Sequence, residues 1–259
     1  MGEILNSYSI AAIFVFGYMT VLFLLAVFLK DNSIADVAWG PGFIIAAAAV
    51  MIVQETFGVR NFLLQALVTI WGLRLGVRIL LRNHGRGEDW RYKKWREEWG
   101  SLFYLRSYLQ VFALQGAILL VNAAPLVIAN SAPGDILVWT DYAGLAVWCT
   151  GFFFESVGDY QLDRFIKDPA NKGTIMDRGL WRYTRHPNYF GEVTMWWGIF
   201  IIGLGAPFGY LGIVGPVIIT LMIVFVSGIP MTERAMDHDP AFQAYKKRTS
   251  AFIPLPPRG

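Results

Sequence analysis

The stretch Arg178–Val193, RGLWRYTRHPNYFGEV, sets three arginines, a histidine, an asparagine and two tyrosines against the start of a strongly apolar run. A segment that only crosses a membrane needs none of this chemistry at its edge. Gly179 and Pro187 mark turns, Asn188 reads as the cap of a helix beginning at Tyr189, and Glu192 follows four residues later on the same face. A helix N-terminus beside Arg182, Arg185 and His186 suits an anionic ligand at a membrane surface. Three histidines in all, with no second histidine or cysteine at ligand spacing, give no basis for a metal site. A phosphate-bearing cofactor suits the cluster better.

Two further ladders carry charge. Arg74, Arg78, Arg82 and Arg86 recur every four residues, along one drifting stripe of a helix. The first two fall within an apolar segment, where each arginine costs about 2.5 to 3.5 kcal/mol on insertion scales. Arg82 and Arg86 can snorkel to the surface, but Arg74 lies roughly two turns deeper. Glu155, Asp159 and Asp163 form an acidic ladder of the same spacing, followed by Arg164 and Lys167. The two ladders either bridge one another or line a ligand site, with carboxylates accepting from ribose hydroxyls or an amide and arginines binding phosphate; both can hold at once. Asp36, in SIADVAWGPGF beside Trp39, is the third anomaly. It either pairs with an arginine of the third span or lines a cavity where burial raises its pKa and lets it donate a proton.

These residues must be positioned by membrane helices. The chain of 259 residues is 55% hydrophobic and only 16% charged, where a soluble domain carries nearer a quarter. Seven runs approach the roughly 20 apolar residues of a crossing: 9–29, 33–53, 62–82, 108–130, 138–159, 190–206 and 209–230. The acidic start MGEILNSYS is unlike a cleavable signal peptide, so the run 10–29 is expected to remain as the first span. Seven of the 22 Lys and Arg fall between Arg82 and Arg106, six between Arg164 and Arg185, and five after the last span. Seven spans put those three segments on one face, which the positive-inside rule makes cytosolic. The expected fold is an all-α membrane protein: a seven-transmembrane-helix bundle, one domain over 1–259, N-terminus outside and C-terminus cytosolic. By themselves the basic loops need only topology and anionic lipid head groups to explain them. Cys149, the lone cysteine, sits in an apolar run and reads as an inert buried thiol.

The run GLWRYTRHPNYFGEVTMWWG resembles the C-terminal signature of the membrane steroid 5α-reductase superfamily. GDYQLDRF, RNHGRG, RSYLQVFALQG and the terminal YKKRTSAFIP agree with it in order, over nearly the whole chain from Asp36 to Pro254. RHPNYxGE is also shared with isoprenylcysteine carboxyl methyltransferases, whose cofactor, S-adenosylmethionine, has no phosphate for the arginines. A sterol-binding protein without activity is the third reading; a transporter fits less well, because the charges cluster at one face rather than at the midplane.

The reductase resemblance implies NADPH bound from the cytosolic side and reduction of a carbon–carbon double bond in a bilayer-dissolved lipid, a 3-oxo-Δ4-steroid or a related enone. It implies that Asn83, Arg86, Asp159, Arg164, Arg182, Tyr183, Asn188, Glu192 and tail residues from Tyr245 through Lys247 to Arg248 surround the dinucleotide, with Glu155, Lys167, Arg185 and His186 joining them from the charge pattern. Spans one to four, within 9–130, would form the lipid-side pocket; 138–259 and the loop 82–107 would hold the cofactor. Such reductases set an acidic residue of the second span and a tyrosine of the third against the substrate ketone. Asp36 fits the first role, but no tyrosine occurs between Arg60 and Trp90. Trp71 or Arg74, with Trp39 nearby, is then expected to stand in, or the substrate carbonyl is held otherwise. The oxygen of the enone would be polarised by Asp36 or Arg74 as hydride reaches the β-carbon.

Overall fold

The computed structural model describes residues 1–85 and 87–258, and among them every regular element is helical. Hydrocarbon offers backbone groups no partners, so a chain this apolar closes its hydrogen bonds within helices. Among the described residues five helices are long and apolar enough to cross a membrane: Gly2–Leu29, Ile34–Val53, Val59–Asn83, Trp90–Asn122 and Gly209–Arg234. They fit an integral membrane protein. The other two expected spans correspond to a 29-residue helix, Trp139–Lys167, which carries Asp141, Glu155 and Asp159, and to a 17-residue helix, Pro187–Gly203. The fourth span begins earlier than expected and stops at Asn122, before a short helix that carries Pro125.

The chain forms two compact units, Met1–Val138 with Gly203–Val214, and Trp139–Ile202 with Gly215–Gly259. The first is built on α1 (Gly2–Leu29), α2 (Ile34–Val53) and α3 (Val59–Asn83). At the crossing of α2 and α3, a Cβ on Gly72 would lie 2.7 Å from the Gly40 carbonyl oxygen, and one on Gly76 would lie 3.3 Å from Val37 O. The pairing 40 with 72 and 37 with 76 runs the two helices antiparallel, with backbones closer than any side chain permits. Above that contact Trp39, Phe43 and Trp71 form a chain of edge-on rings at 5.2 and 5.6 Å.

Next come α4 (Trp90–Trp99), α5 (Phe103–Arg106), a π-helical stretch Ser107–Ala113, α6 (Leu114–Asn122) and α7 (Ala124–Ala129), the last buried along its whole length. The loop after α7 is tied to the start of α3 by Asn61. Its amide donates to Asn130 Oδ1 at 3.0 Å and to Ala132 O at 3.2 Å, and its Oδ1 accepts from Gly134 N at 2.8 Å. Arg60 is buried here and donates to Ile136 O at 2.9 Å.

The second unit holds α8 (Trp139–Lys167), α9 (Pro187–Gly203), α10 (Val214–Leu221), α11 (Ile229–Arg234) and α12 (Pro240–Arg248). Its organising contact is a seam of glycines seven residues apart. A Cβ on Gly144 would meet Gly198 O, one on Gly151 would meet Gly191 O, each at 2.6 Å, and one on Gly158 would meet the Pro187 ring at 3.0 Å. Seven residues are close to two helical turns, so the three glycines share a face and α8 and α9 meet antiparallel along it. Cys149 lies on α8 away from this seam and is exposed, contrary to its expected burial.

Candidate functional site

In the first unit the candidate chemistry gathers where α2 begins. Asp89 caps α4, accepting from Arg91 N at 2.9 Å, and the Asp89 backbone N donates to Ser33 Oγ at 2.8 Å. Glu88 takes both Arg96 Nη2, at 2.8 Å, and Arg96 Nε, at 3.2 Å, and accepts from Asn32 N at 2.9 Å. The loop is thereby bound to the entry of α2, and α4 presents its first turn to Asp36. Arg91 Nη2 donates to Asp36 Oδ2 and the Tyr92 hydroxyl donates to Asp36 Oδ1, each at 2.8 Å.

Asp36 is therefore paired with an arginine, but with Arg91 of α4 rather than one of the third span, and with Tyr92 beside it. Neither was among the expected site residues. Burial works against the Asp89 carboxylate, yet the hydrogen bonds and charge of Arg91 outweigh it and hold its pKa below the usual value. Trp71 is 1% exposed and edge-on to Phe43, so the structure places it in packing. Trp39 is half-buried at the head of the same ring chain, Arg74 is half-buried on α3, and Asn83 closes that helix. Arg86 lies outside the described residues.

The second unit brings together most of the other candidates, through the glycine seam. With Gly158 against Pro187 and the Asn188 backbone, and Gly191 against the Glu155 backbone, the acidic end of α8 is laid along the first turn of α9. Glu155 and Asp159 are 3% and 4% exposed there, and Glu192 is half-buried one turn into α9. α9 begins at Pro187, where the missing N–H is no loss. Asn188 is thus inside the first turn rather than its cap, and its Oδ1 is buried with no hydrogen-bond partner among the described residues. Gly179 opens the preceding turn at φ 59°, a conformation that disfavours side chains, and a Cβ there would meet Gln161 at 2.6 Å. Gln161 Oε1 accepts from Leu180 N at 3.0 Å, and Trp181 Nε1 donates to Gly158 O at 3.0 Å, fixing the turn on α8.

Arg185 and His186 do not point freely to a ligand as expected. Both donate to Glu233 Oε1, Arg185 through Nε at 2.8 Å and His186 through Nε2 at 3.1 Å, while Lys246 Nζ lies 3.3 Å from Glu233 Oε2. Arg185 Nη1 also reaches Thr249 O at the end of α12. Glu233 was missed because it stands in a tail that the sequence reading weighed for its basic residues; three donors from two distant segments meet on it only in the fold. Lys246 also pairs with Asp237 at 2.8 Å, and that contact raises the lysine pKa and lowers that of the aspartate.

The tail is pinned beside this hub. Tyr245, whose pKa burial pushes up, donates its hydroxyl to Trp181 O, and Arg248 pairs with Asp177. Ser250 O accepts from Arg185 N at 2.9 Å, and Tyr183 O accepts from Leu255 N at 2.9 Å. Arg182, the Tyr183 side chain, Lys247, Arg164 and Lys167 are exposed, with Arg164 3.4 Å from the Tyr160 hydroxyl.

No solved structure matches the chain. An uncharacterized protein of Schizosaccharomyces pombe is 24% identical, over 96% of this chain and 80% of its own length. A family model described as "Protein of unknown function (DUF1295)" matches residues 22–249, and the chain accordingly belongs to that family, which is part of the steroid 5α-reductase-like superfamily.

Proposed function

We propose that the protein is an NADPH-dependent reductase of a carbon–carbon double bond in a membrane-dissolved enone, a 3-oxo-Δ4-steroid or a lipid of similar chemistry. The observation that carries this reading is the hydrogen bond from Tyr92 to Asp36. A tyrosine beside an acidic residue of the second span is the arrangement the reductase resemblance asks for. The chain supplies it from α4, where the third span has none.

The donor set of the second unit fits a phosphate-bearing dinucleotide. Arginine and lysine side chains around the tail match phosphate oxygens, and the orphaned Asn188 Oδ1 is an acceptor that an amide N–H of a ligand completes. When bound, the nicotinamide supplies hydride to the enone β-carbon. Tyr92 exchanges its bond to Asp36 for one to the substrate carbonyl oxygen as negative charge builds there. Arg91 keeps the Asp36 carboxylate neutralised throughout. A water proton on the α-carbon completes the saturated ketone. The half-buried Trp39 ring, backed by the buried Phe43, offers the apolar wall against which the lipid lies.

In this reading α8 and α9 join the five apolar helices, as the fifth and sixth of seven spans in chain order, with the N-terminus outside and the basic tail in the cytosol. The test uses purified protein in micelles with a 3-oxo-Δ4-steroid. Loss of NADPH absorbance with formation of the saturated ketone is expected. Methyl transfer from labelled S-adenosylmethionine to a lipid acceptor, with no NADPH oxidation, would replace the reductase by the methyltransferase that shares RHPNYFGE.

A further inference from the structure

Tyr92 reaches Asp36 from a helix whose place the covalent chain does not fix. α4 is entered through Gly87 at φ 69° and left through Gly100 at φ 50°, both in the region where the backbone turns sharply and side chains are disfavoured. Its outer face is solvated: Lys93, Lys94, Glu97 and Glu98 are exposed, and Lys94 pairs with Glu98 at 3.6 Å.

A closed ring of contacts holds it. Glu88, one residue before the Asp89 cap, takes Arg96 on both oxygens, Nη2 at 2.8 Å and Nε at 3.2 Å, and also accepts from Asn32 N at 2.9 Å. Arg96 Nη2 reaches Lys30 O as well, at 3.3 Å. Asn32 Nδ2 donates in turn to Ser107 Oγ at 3.0 Å, both residues being buried. The Arg96 guanidinium lies 4.1 Å from the centroid of the Phe103 ring, on the segment that leads into Ser107. The ring thus runs from the turn between α1 and α2, through both ends of α4, to the start of the π-helical stretch and back to the turn. Tyr92 lies between the two clamp points: Arg96 is one helical turn further along the same face of α4, and Glu88 precedes that helix.

Glu88 is the carboxylate on which this ring closes, and its side chain is only 7% exposed. The ordinary account of a buried ion pair is stability, yet apolar residues of similar volume often serve that purpose as well or better. What an apolar contact lacks is direction. Two bonds between a planar guanidinium and a carboxylate resist both sliding of α4 along its axis and rotation about it. Either motion carries the Tyr92 hydroxyl away from Asp36 Oδ1. We infer that Glu88 is a positioning residue, which through Arg96 and Asn32 holds Tyr92 at the Asp36 carboxylate in the geometry that polarises a substrate carbonyl. Glu88 does not itself touch the substrate. Its effect on turnover rests on the reductase reading, whereas the clamp on α4 is measurable without any reaction.

The test joins a double-mutant cycle to hydrogen exchange, on the full chain in micelles with NADPH and a 3-oxo-Δ4-steroid. Glu88→Ala should lower kcat by about 10- to 100-fold, the scale of loss that a misplacement of about 1 Å brings, with NADPH affinity unchanged. In the Tyr92→Phe background the same change should cost less than about threefold, because the group it positions is already gone. Backbone amides of α4 should exchange faster in Glu88→Ala while those of α1 to α3 keep their protection. Lys94→Gln, on the solvated face, should alter neither reading. Equal losses in the two backgrounds would assign Glu88 to overall stability and overturn the positioning role, and unchanged exchange in α4 would overturn the clamp. If the wild type reduces no enone, or Tyr92→Phe is fully active, the carbonyl pair fails, while faster exchange in α4 still supports the clamp. If Glu88→Ala does not fold, Glu88→Gln, whose amide oxygen still accepts from Asn32 N, enters the same cycle and should give a smaller loss with the same dependence on Tyr92.

Discussion

The Tyr92 hydroxyl stands 2.8 Å from Asp36 Oδ1, joining residues 56 positions apart in sequence. The contact exists because Asp89 caps α4 and is itself bound to Ser33, one turn before Asp36. If the pair polarises the substrate carbonyl, Tyr92→Phe removes one donor at the developing oxyanion. Turnover should fall by about 10²- to 10³-fold with NADPH affinity nearly unchanged, read as a split between kcat and the cofactor dissociation constant. A Tyr92→Phe variant with wild-type turnover would remove the pair from the chemistry.

Glu233 is a buried carboxylate shared by Arg185, His186 and Lys246. Glu233→Ala leaves Arg185 and His186 buried without this acceptor, while Lys246 keeps Asp237, and a broken buried pair costs about 3 to 5 kcal/mol. A thermal melt in micelles should show a large fall in midpoint, with Glu233→Gln intermediate because an amide oxygen still accepts. A melt unchanged in Glu233→Ala would show that the hub does not hold the tail to α9.

The glycine seam sets the separation of α8 and α9. In Gly151→Ala the new methyl meets Gly191 O, and backbone cannot move aside as a side chain does. Destabilisation by about 1 to 3 kcal/mol is expected, against a negligible effect of Gly17→Ala, where a Cβ meets nothing within 4 Å. Comparable melts for the two variants would refute the seam as a packing constraint.

Asp89 provides a pH signature. Its folded pKa lies below the unfolded value, so its contribution is fully present above about pH 4, the ordinary aspartate value, and is lost as pH falls through the folded pKa. Asp89→Asn should reduce stability at neutral pH and flatten the acid limb of the stability profile. An acid limb identical to that of wild type would assign the sensitivity to other carboxylates.

Much of the architecture was legible in one dimension because a membrane makes hydropathy a direct structural signal. Runs of apolar residues became helices close to their expected bounds, as for α2, α3 and α9, while α1 begins seven residues earlier than expected. The signal blurs where helices carry charge or change pitch. Thus α8 extends to Lys167 with its acidic ladder, and the fourth span starts at Trp90 and passes through a π-helical stretch. The chemistry-bearing turn RHPN was visible from residue type alone. Its pairing was not, because Glu233 meets it from 47 residues away through His186, a separation no local pattern encodes.

Sequence by itself determined the membrane class, the helical content and the stretches in which polar chemistry concentrates, since each depends on composition or on periodicity along a single helix. Only the tertiary structure decided which polar groups share a partner: Asp36 with Arg91 and Tyr92, Arg185 and His186 with Glu233, and Arg96 and Asn32 with Glu88. Those choices depend on capped turns and glycine contacts that bring distant segments within hydrogen-bonding range, and such short-range interactions select partners by position in space rather than by order along the chain.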